Sequence, residues 1–278
     1  MSLHTRAREA LGSAVVREQD LAGGCIADVR RLTLADGRDV VAKVGQGLAL
    51  EGFMLSYLAE HSRLPVPEVF FSAEDLLLMD YLPTSGSLSD ASQEDAADHL
   101  AALRGVTGPA FGFARTTVIG GLKQPNDQAP SWLEFFREQR LMYMTEAAVH
   151  MKKLPPEVAL RIAKLAERLD RWIDESAKPT LIHGDMWTGN VLVNGDRIAG
   201  FVDPAIYYAD PEIELAFSTL FGTFSEAFFK RYAEHHPLRP GFEERKDLYN
   251  LYPLLVHVRL FGAHYVGDVE IILRRFGV

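Results

Sequence analysis

The stretch LIHGDMWTGNVLVNGDRIAGFVDPA, residues 181–205, limits what this chain can fold into more than any other. Short apolar runs bracket polar residues at fixed offsets, with Asp185 and Asn190 five positions apart. VLV, the turn NGD and RIAGFVD follow. Asn-Gly between apolar runs predicts a tight hairpin, which would return Asp203 to the side of the loop that carries Asp185. Any fold that accepts this segment must offer a strand-and-turn platform holding three oxygen-bearing side chains together. Carboxylate and amide oxygens are the ligands that Mg²⁺ prefers. On spacing alone, a polar loop whose Asp and Asn side chains satisfy local backbone groups accounts for the pattern as well.

The N-terminal half adds the partners that a phosphate site needs. VRRLTL and DVVAKV flank an Asp-Gly turn, a second hairpin signal, and Lys43 follows Val41-Ala42 on its second arm. In LALEGFMLSYLAE, Leu50, Phe53, Met54, Tyr57 and Leu58 recur at helical spacing, and Glu51 opens that helix within reach of Lys43. The order Lys43, Glu51, Asp185, Asn190, Asp203 is that of a phosphoryl-transfer site. There a Lys held by a Glu contacts phosphates, one Asp takes the substrate hydroxyl's proton, and the Asn and the later Asp bind Mg²⁺. LAGGCIADV contributes Gly23 and Gly24 without a full G-x-G-x-x-G, and two glycines let backbone N–H groups approach a phosphate. LLLMDYLP reads as a strand entering an interlobe linker, where Asp80 and Leu82 would offer backbone groups to adenine.

PTSGSLSD, directly after Leu82, reads as a hinge. The expected class is α+β, with a nucleotide-binding lobe of sheet plus one helix at 1–82 and a larger helical lobe at 83–278 carrying the catalytic loop and substrate site. Within the second lobe, PPEVALRIAKLAERLDRWIDE predicts one helix opened by Pro155-Pro156, its stripe made by Ile162, Leu165, Leu169, Trp172 and Ile173. A net charge of −9 argues against a nucleic-acid partner, which demands a basic surface. No run of about 18 apolar residues and no secretory leader pattern is present, so the expectation is a cytoplasmic protein with no membrane partner. Cys25 is the one cysteine, which excludes an internal disulfide.

LIHGDMWTGNVL, GFVDPAIYYADPEIELAFSTLFGTF and PGFEERKDLYNLYPLLVHVRLFGAHY, with GGCI, FGFARTTVIGGLKQPN and SWLEFFREQRL, resemble the fructosamine kinase (ketosamine-3-kinase) family of aminoglycoside-phosphotransferase-like kinases. The resemblance runs from about residue 20 to 267. HGD-x-W-x-G-N together with D-P-A-x-x-Y is its specific part, since HGD-x-x-x-x-N alone is shared with choline, homoserine and aminoglycoside kinases. It implies a two-lobed protein-kinase-like fold and phosphorylation, with ATP and Mg²⁺, of the 3-hydroxyl of a ketose joined through C1 to an amine. That phosphate makes the adduct unstable and regenerates the amine, which is protein deglycation. By matching position, Asp185 becomes the base, Asn190 and Asp203 the Mg²⁺ ligands, and Lys43 with Glu51 the phosphate-binding pair. Trp187 would pack against the sugar, His257 and Phe261 line the acceptor side, and Gln124 and Asn126 close the site. Family members carry a cysteine where Cys25 stands, in some associated with redox control through a disulfide between two chains. The rival readings are a kinase for an aminoglycoside, choline or homoserine, and a nucleotide-binding module without catalysis. The expected partner is a small-molecule or protein-bound ketoamine; its sugar, its amine and the oligomeric state stay open.

Overall fold

Along the first eighty residues apolar side chains alternate on short β-branched runs. The computed structural model, which describes residues 1–21 and 27–278, gathers these runs into one antiparallel sheet. Helix α1 (Leu3–Leu11) leads into strands β1 (Val15–Asp20), β2 (Asp28–Leu34) and β3 (Asp39–Val44). Helix α2 (Leu48–His61) and strands β4 (Val69–Ala73) and β5 (Leu76–Asp80) complete a sheet of order β1-β2-β3-β5-β4. Period-two alternation sorts its faces. Leu32, Leu34, Val40, Ala42, Leu76 and Leu78 pack with Ala7 of α1, whereas Val41, Leu77 and Met79 pack with Leu48 and Leu55 of α2. Lys43, two residues beyond Val41 on β3, therefore emerges on the α2 face.

Helices dominate from residue 90 onward. They are α3 (Asp90–Leu103), α4 (Trp132–Phe135), α5 (Tyr143–His150), α6 (Pro156–Ala166), α7 (Glu212–Leu220), α8 (Glu226–His235), α9 (Phe242–Phe261) and α10 (Val266–Arg275), with a π-helical stretch, Phe136–Met142, joining α4 to α5. Three two-stranded ribbons interrupt them: β6 (Thr117–Ile119) with β7 (Leu122–Gln124), β8 (Thr180–Ile182) with β11 (Tyr207–Ala209), and β9 (Val191–Asn194) with β10 (Arg197–Phe201). The arrangement is the expected α+β one, a small sheet lobe and a larger helical lobe. The β9–β10 hairpin is the one that the NGD turn predicts. The β8–β11 pair, with Tyr207 opposite Ile182, brings the two ends of the catalytic stretch to one place.

The single helix expected over 155–175 is corrected: α6 stops at Ala166, and a short 3₁₀ turn at Leu169–Arg171 follows. Arg168 explains the stop, because its Nε donates to the Lys164 carbonyl while its N–H turns to Leu165 O. Leu165, Leu169 and Ile173 stay buried, so the apolar stripe survives the break. The two lobes meet through the backbone bond from Phe201 N–H to Pro65 O at 2.8 Å and through the hydroxyls of Tyr57 and Tyr208, 2.9 Å apart, while Ser85 N–H, just past the linker, donates to Val193 O at 2.9 Å. Among the described residues no helix is long and apolar enough to cross a membrane.

Candidate active site

The loop after β8 is built from within. His183 is fully buried; its Nε2 bonds Val202 O at 3.0 Å and its Nδ1 accepts the Asp185 N–H at 3.4 Å. Burial depresses the imidazole to about 4, so it is neutral, with its proton on Nε2. Gly184 follows with φ +87°, and a Cβ there would lie 2.2 Å from Ala205 O. Only glycine fits that conformation and that approach. The Gly184 N–H donates to Oε1 of Glu214 at 2.9 Å, a carboxyl buried in α7 and pushed up to about 7 by that burial. Asn190 spans the loop, its Nδ2 donating to Asp185 O at 2.8 Å and to Asp185 Oδ2 at 3.0 Å. Burial pushes the Asp185 carboxyl up to about 7, against the pull of the Asn190 amide and with added repulsion from Asp203.

Facing this loop is Lys43, buried, with Nζ donating to Glu51 Oε1 at 2.6 Å and also to Asp203 Oδ1. Burial opposes the charge on Lys43, but the two carboxylates outweigh it and its pKa is raised. The sequence-predicted pair is therefore formed, and Asp203 is joined to it. Asp203 has φ +55°, which only Lys152 shares among described residues other than glycine. A left-handed conformation in such a residue costs about 1–2 kcal/mol and persists where its surroundings over-determine it. Both flanks are fixed here: Val202 N–H donates to Asn190 O at 3.1 Å, and Ala205 N–H donates to His183 O at 2.7 Å.

The oxygens fit a hard cation. The Asn190 nitrogen is turned to Asp185, so its Oδ1 has no hydrogen-bond partner among the described residues. No group of three or more His, Cys, Asp or Glu among them could hold a metal. Mg²⁺ at a nucleotide site takes one or two protein oxygens and completes its shell from phosphates and water, which Asn190 and Asp203 can supply.

The other expected residues divide. Trp187 is 41% exposed and lies over Gly189 at the front of the loop. His257 is half-buried, its ring centroid 4.8 Å from that of Phe221 and 5.4 Å from that of Phe261, while Thr188 Oγ1 reaches Thr223 Oγ1 at 3.3 Å. Leu82 packs over Gly200 of β10, tying the linker to the catalytic hairpin. The Asp80 N–H already donates to Glu68 O at 2.8 Å, so that group is not available to adenine. Its side chain belongs to the α1 face, lining an open cavity of about 300 Å³ with Arg38 and Tyr81. Gln124 and Asn126 are a correction: they do not close the site but are buried behind residues 205–206. Their amide groups find partners there, which the exposed rim of a cleft would not offer. Gly23, Gly24 and Cys25 lie outside the described residues.

Two contributors escaped the sequence reading. His183 and Glu214 touch only the backbone of the loop, yet they fix where Asp185 stands. The signal for Glu214 was an acid enclosed by Ile213, Leu215, Ala216 and Phe217 on a helix with no exposed face there.

The chain is similar to known proteins along most of its length. A family model described as fructosamine kinase matches residues 2–276. A Synechocystis protein named "Probable ketoamine kinase" is 39% identical over 180 residues, 64% of this chain and 59% of that protein. The chloroplastic protein-ribulosamine 3-kinase of Arabidopsis thaliana is 28% identical over 272 residues, 92% of this chain and 81% of that protein. The crystal structure of a candidate fructosamine-3-kinase from Thermobifida fusca superposes with a TM-score of 0.89 at 29% identity, covering 98% of this chain and 97% of that one.

Proposed function

The chain belongs to the fructosamine kinase family and is an ATP-dependent phosphotransferase with an alcohol acceptor, and on that premise we propose that it phosphorylates the 3-hydroxyl of a ketoamine. The observation that carries this reading is the meeting of Lys43 from β3, Asp185 and Asn190 from the loop after β8, and Asp203 from just beyond β10. Transfer of a γ-phosphoryl group is mainly positioning and charge neutralisation, with little covalent chemistry for the protein to do.

Asp185 takes the proton of the 3-hydroxyl as that oxygen bonds the γ-phosphorus and the bond to the β-phosphate oxygen breaks, leaving ADP. A carboxyl raised to about 7 is a better-matched base near neutral pH than an ordinary one. Lys43 exchanges part of its bond to Asp203 for phosphate oxygens, with Glu51 holding the ammonium in place. Asn190 Oδ1 and the Asp203 carboxylate would hold Mg²⁺, which when bound offsets the charge on the phosphates. Trp187 packs against the sugar, and His257 and Phe261 line the acceptor side. The 3-phosphate then destabilises the adduct and frees the amine, so the physiological outcome is deglycation in the cytoplasm.

For the sugar we expect ribulosamines or erythrulosamines ahead of fructosamines, a preference supported by the name of the Arabidopsis relative. ATP turnover against a panel of ketoamines, aminoglycosides, choline and homoserine tests the class, and NMR of the product reads the phosphate position. No turnover with any ketoamine overturns the reading. A kcat/KM for fructoselysine about tenfold above the shorter sugars overturns the sugar preference alone.

A further inference from the structure

Behind the catalytic stretch runs a polar chain that no part of the chemistry above uses. Arg140, fully buried in the π-helical stretch, lies 3.8 Å over the ring of Tyr207 and donates through Nη2 to Asn126 Oδ1 at 2.6 Å. Asn126 Nδ2 donates to Thr117 Oγ1 at 2.8 Å, and that hydroxyl donates to Ile206 O at 3.3 Å. A second arm starts at Tyr252 of α9, whose hydroxyl donates to Gln124 Oε1 at 2.6 Å. Gln124 Nε2 donates to Ala205 O at 3.0 Å and to Thr117 Oγ1 at 2.8 Å.

Every direction in this chain is determined. A guanidinium can only donate and a backbone carbonyl can only accept, so Asn126 cannot turn over without losing bonds at both ends, and Gln124 cannot without losing its bond to Ala205 O. Gln124 is wholly enclosed and all of its polar atoms are paired. Apolar residues of similar volume would fill such a space at no desolvation cost, so burial of the network calls for a reason beyond packing.

We propose that Gln124, oriented by Tyr252, is a positioning residue that pins the Ala205 peptide and through it sets both halves of the phosphotransfer site. The Ala205 carbonyl it holds is the atom against which Gly184 closes, and the Ala205 N–H bonds His183 O at 2.7 Å. Asp185 follows Gly184 on one side, and Asp203, in its left-handed conformation, stands two residues before Ala205 on the other. Gln124 is thus the side chain from outside the catalytic stretch that fixes the downstream flank of Asp203. The proposal rests on the phosphotransfer reading but not on the identity of the acceptor.

Gln124→Met keeps volume and removes all three bonds; Tyr252→Phe keeps the ring and removes the hydroxyl that orients the amide. For Gln124→Met the expected result is a kcat lower by about tenfold or more, with KM for ATP within about threefold of wild type. The Mg²⁺ concentration for half-maximal ADP binding, read by titration calorimetry, rises by about threefold or more. Tyr252→Phe moves both quantities the same way by a smaller factor, and the double variant is no worse than Gln124→Met, because the hydroxyl acts only through the amide. A role in folding alone would lower the melting temperature and leave these values per folded molecule unchanged. A folded Gln124→Met with kcat and Mg²⁺ dependence within about twofold of wild type overturns the proposal. So do multiplicative effects in the double variant. If Gln124→Met does not fold, Tyr252→Phe decides by the same threshold. Should wild type act on no ketoamine, the acceptor assignment fails while the ADP titration still tests Gln124.

Discussion

Replacing Asp185 by Asn should cost activity and add stability, and the second effect has a pH dependence that the structure fixes. The carboxyl is pushed up to about 7 by burial, with repulsion from Asp203 added and the Asn190 amide opposing. In the unfolded chain it titrates near 4. The folded state therefore holds the proton longer, and this group's stability is fully present below about pH 4 and lost as pH rises through about 7. At pH 8 the full difference corresponds to at most about 4 kcal/mol. Asp185 is only half-buried and solvent screening reduces the effect, so about 2 kcal/mol is the working figure. Asn is neutral, keeps the shape and still accepts from Asn190, so it escapes this cost. For a chain of this size about 2 kcal/mol is about 4–8 °C in Tm. The assay is thermal unfolding of metal-free, nucleotide-free wild type and Asp185→Asn at pH 5 and pH 8. The variant should melt higher at pH 8, with a gap less than half as large at pH 5, while its turnover falls by about 10²–10⁴-fold. A gap of equal size at both pH values, or a variant less stable than wild type at pH 8, refutes the account of a base whose carboxyl is raised by its surroundings. Turnover above about a tenth of wild type refutes the base itself.

Asp203→Ala should weaken nucleotide binding in Mg²⁺ as well as rate, because a metal ligand acts in ground and transition states alike. ADP affinity in Mg²⁺ equal to wild type, by calorimetry, would contradict the metal assignment. Gly184→Ala drives a Cβ to 2.2 Å from a backbone carbonyl at φ +87°, so a loss of about 3 kcal/mol or more is expected in urea unfolding. A midpoint equal to wild type would show that the loop does not close on Ala205 as described.

What could be read from the sequence was whatever short-range rules decide. Two turn signals placed the β2–β3 and β9–β10 hairpins, and helical spacing placed α2 with Glu51 in its first turn. Lys43 and Glu51 could then be paired because strand alternation and helix start leave their side chains little choice of face. The β8–β11 ribbon could not be read, since Tyr207 finds Ile182 across a loop whose length no local pattern announces. Helix α1, capped by Ser2 and closed by a left-handed Gly12, also passed unnoticed, because it covers the sheet with little more than Ala7 buried.

Gln124 and Asn126 show a different limit. An amide beside a proline and glycines reads as exposed and free to meet a ligand, and nothing local tells it from one locked under a carbonyl. What decides between the two is the arrival of Tyr252 and Arg140 from distant helices. Asp203 is the sharpest case. A residue ahead of proline is expected in extended backbone, yet here it has φ +55°. The conformation holds because its neighbours are fixed on both sides: Val202 by Asn190 and His183, Ala205 by His183 and Gln124. A side chain that meets Lys43 and, in the proposed function, also faces a cation has few directions to point, and the turned backbone supplies one of them. Local propensity fails at the residue where the site demands most, and the strength that offsets the strain comes from contacts made across the whole fold.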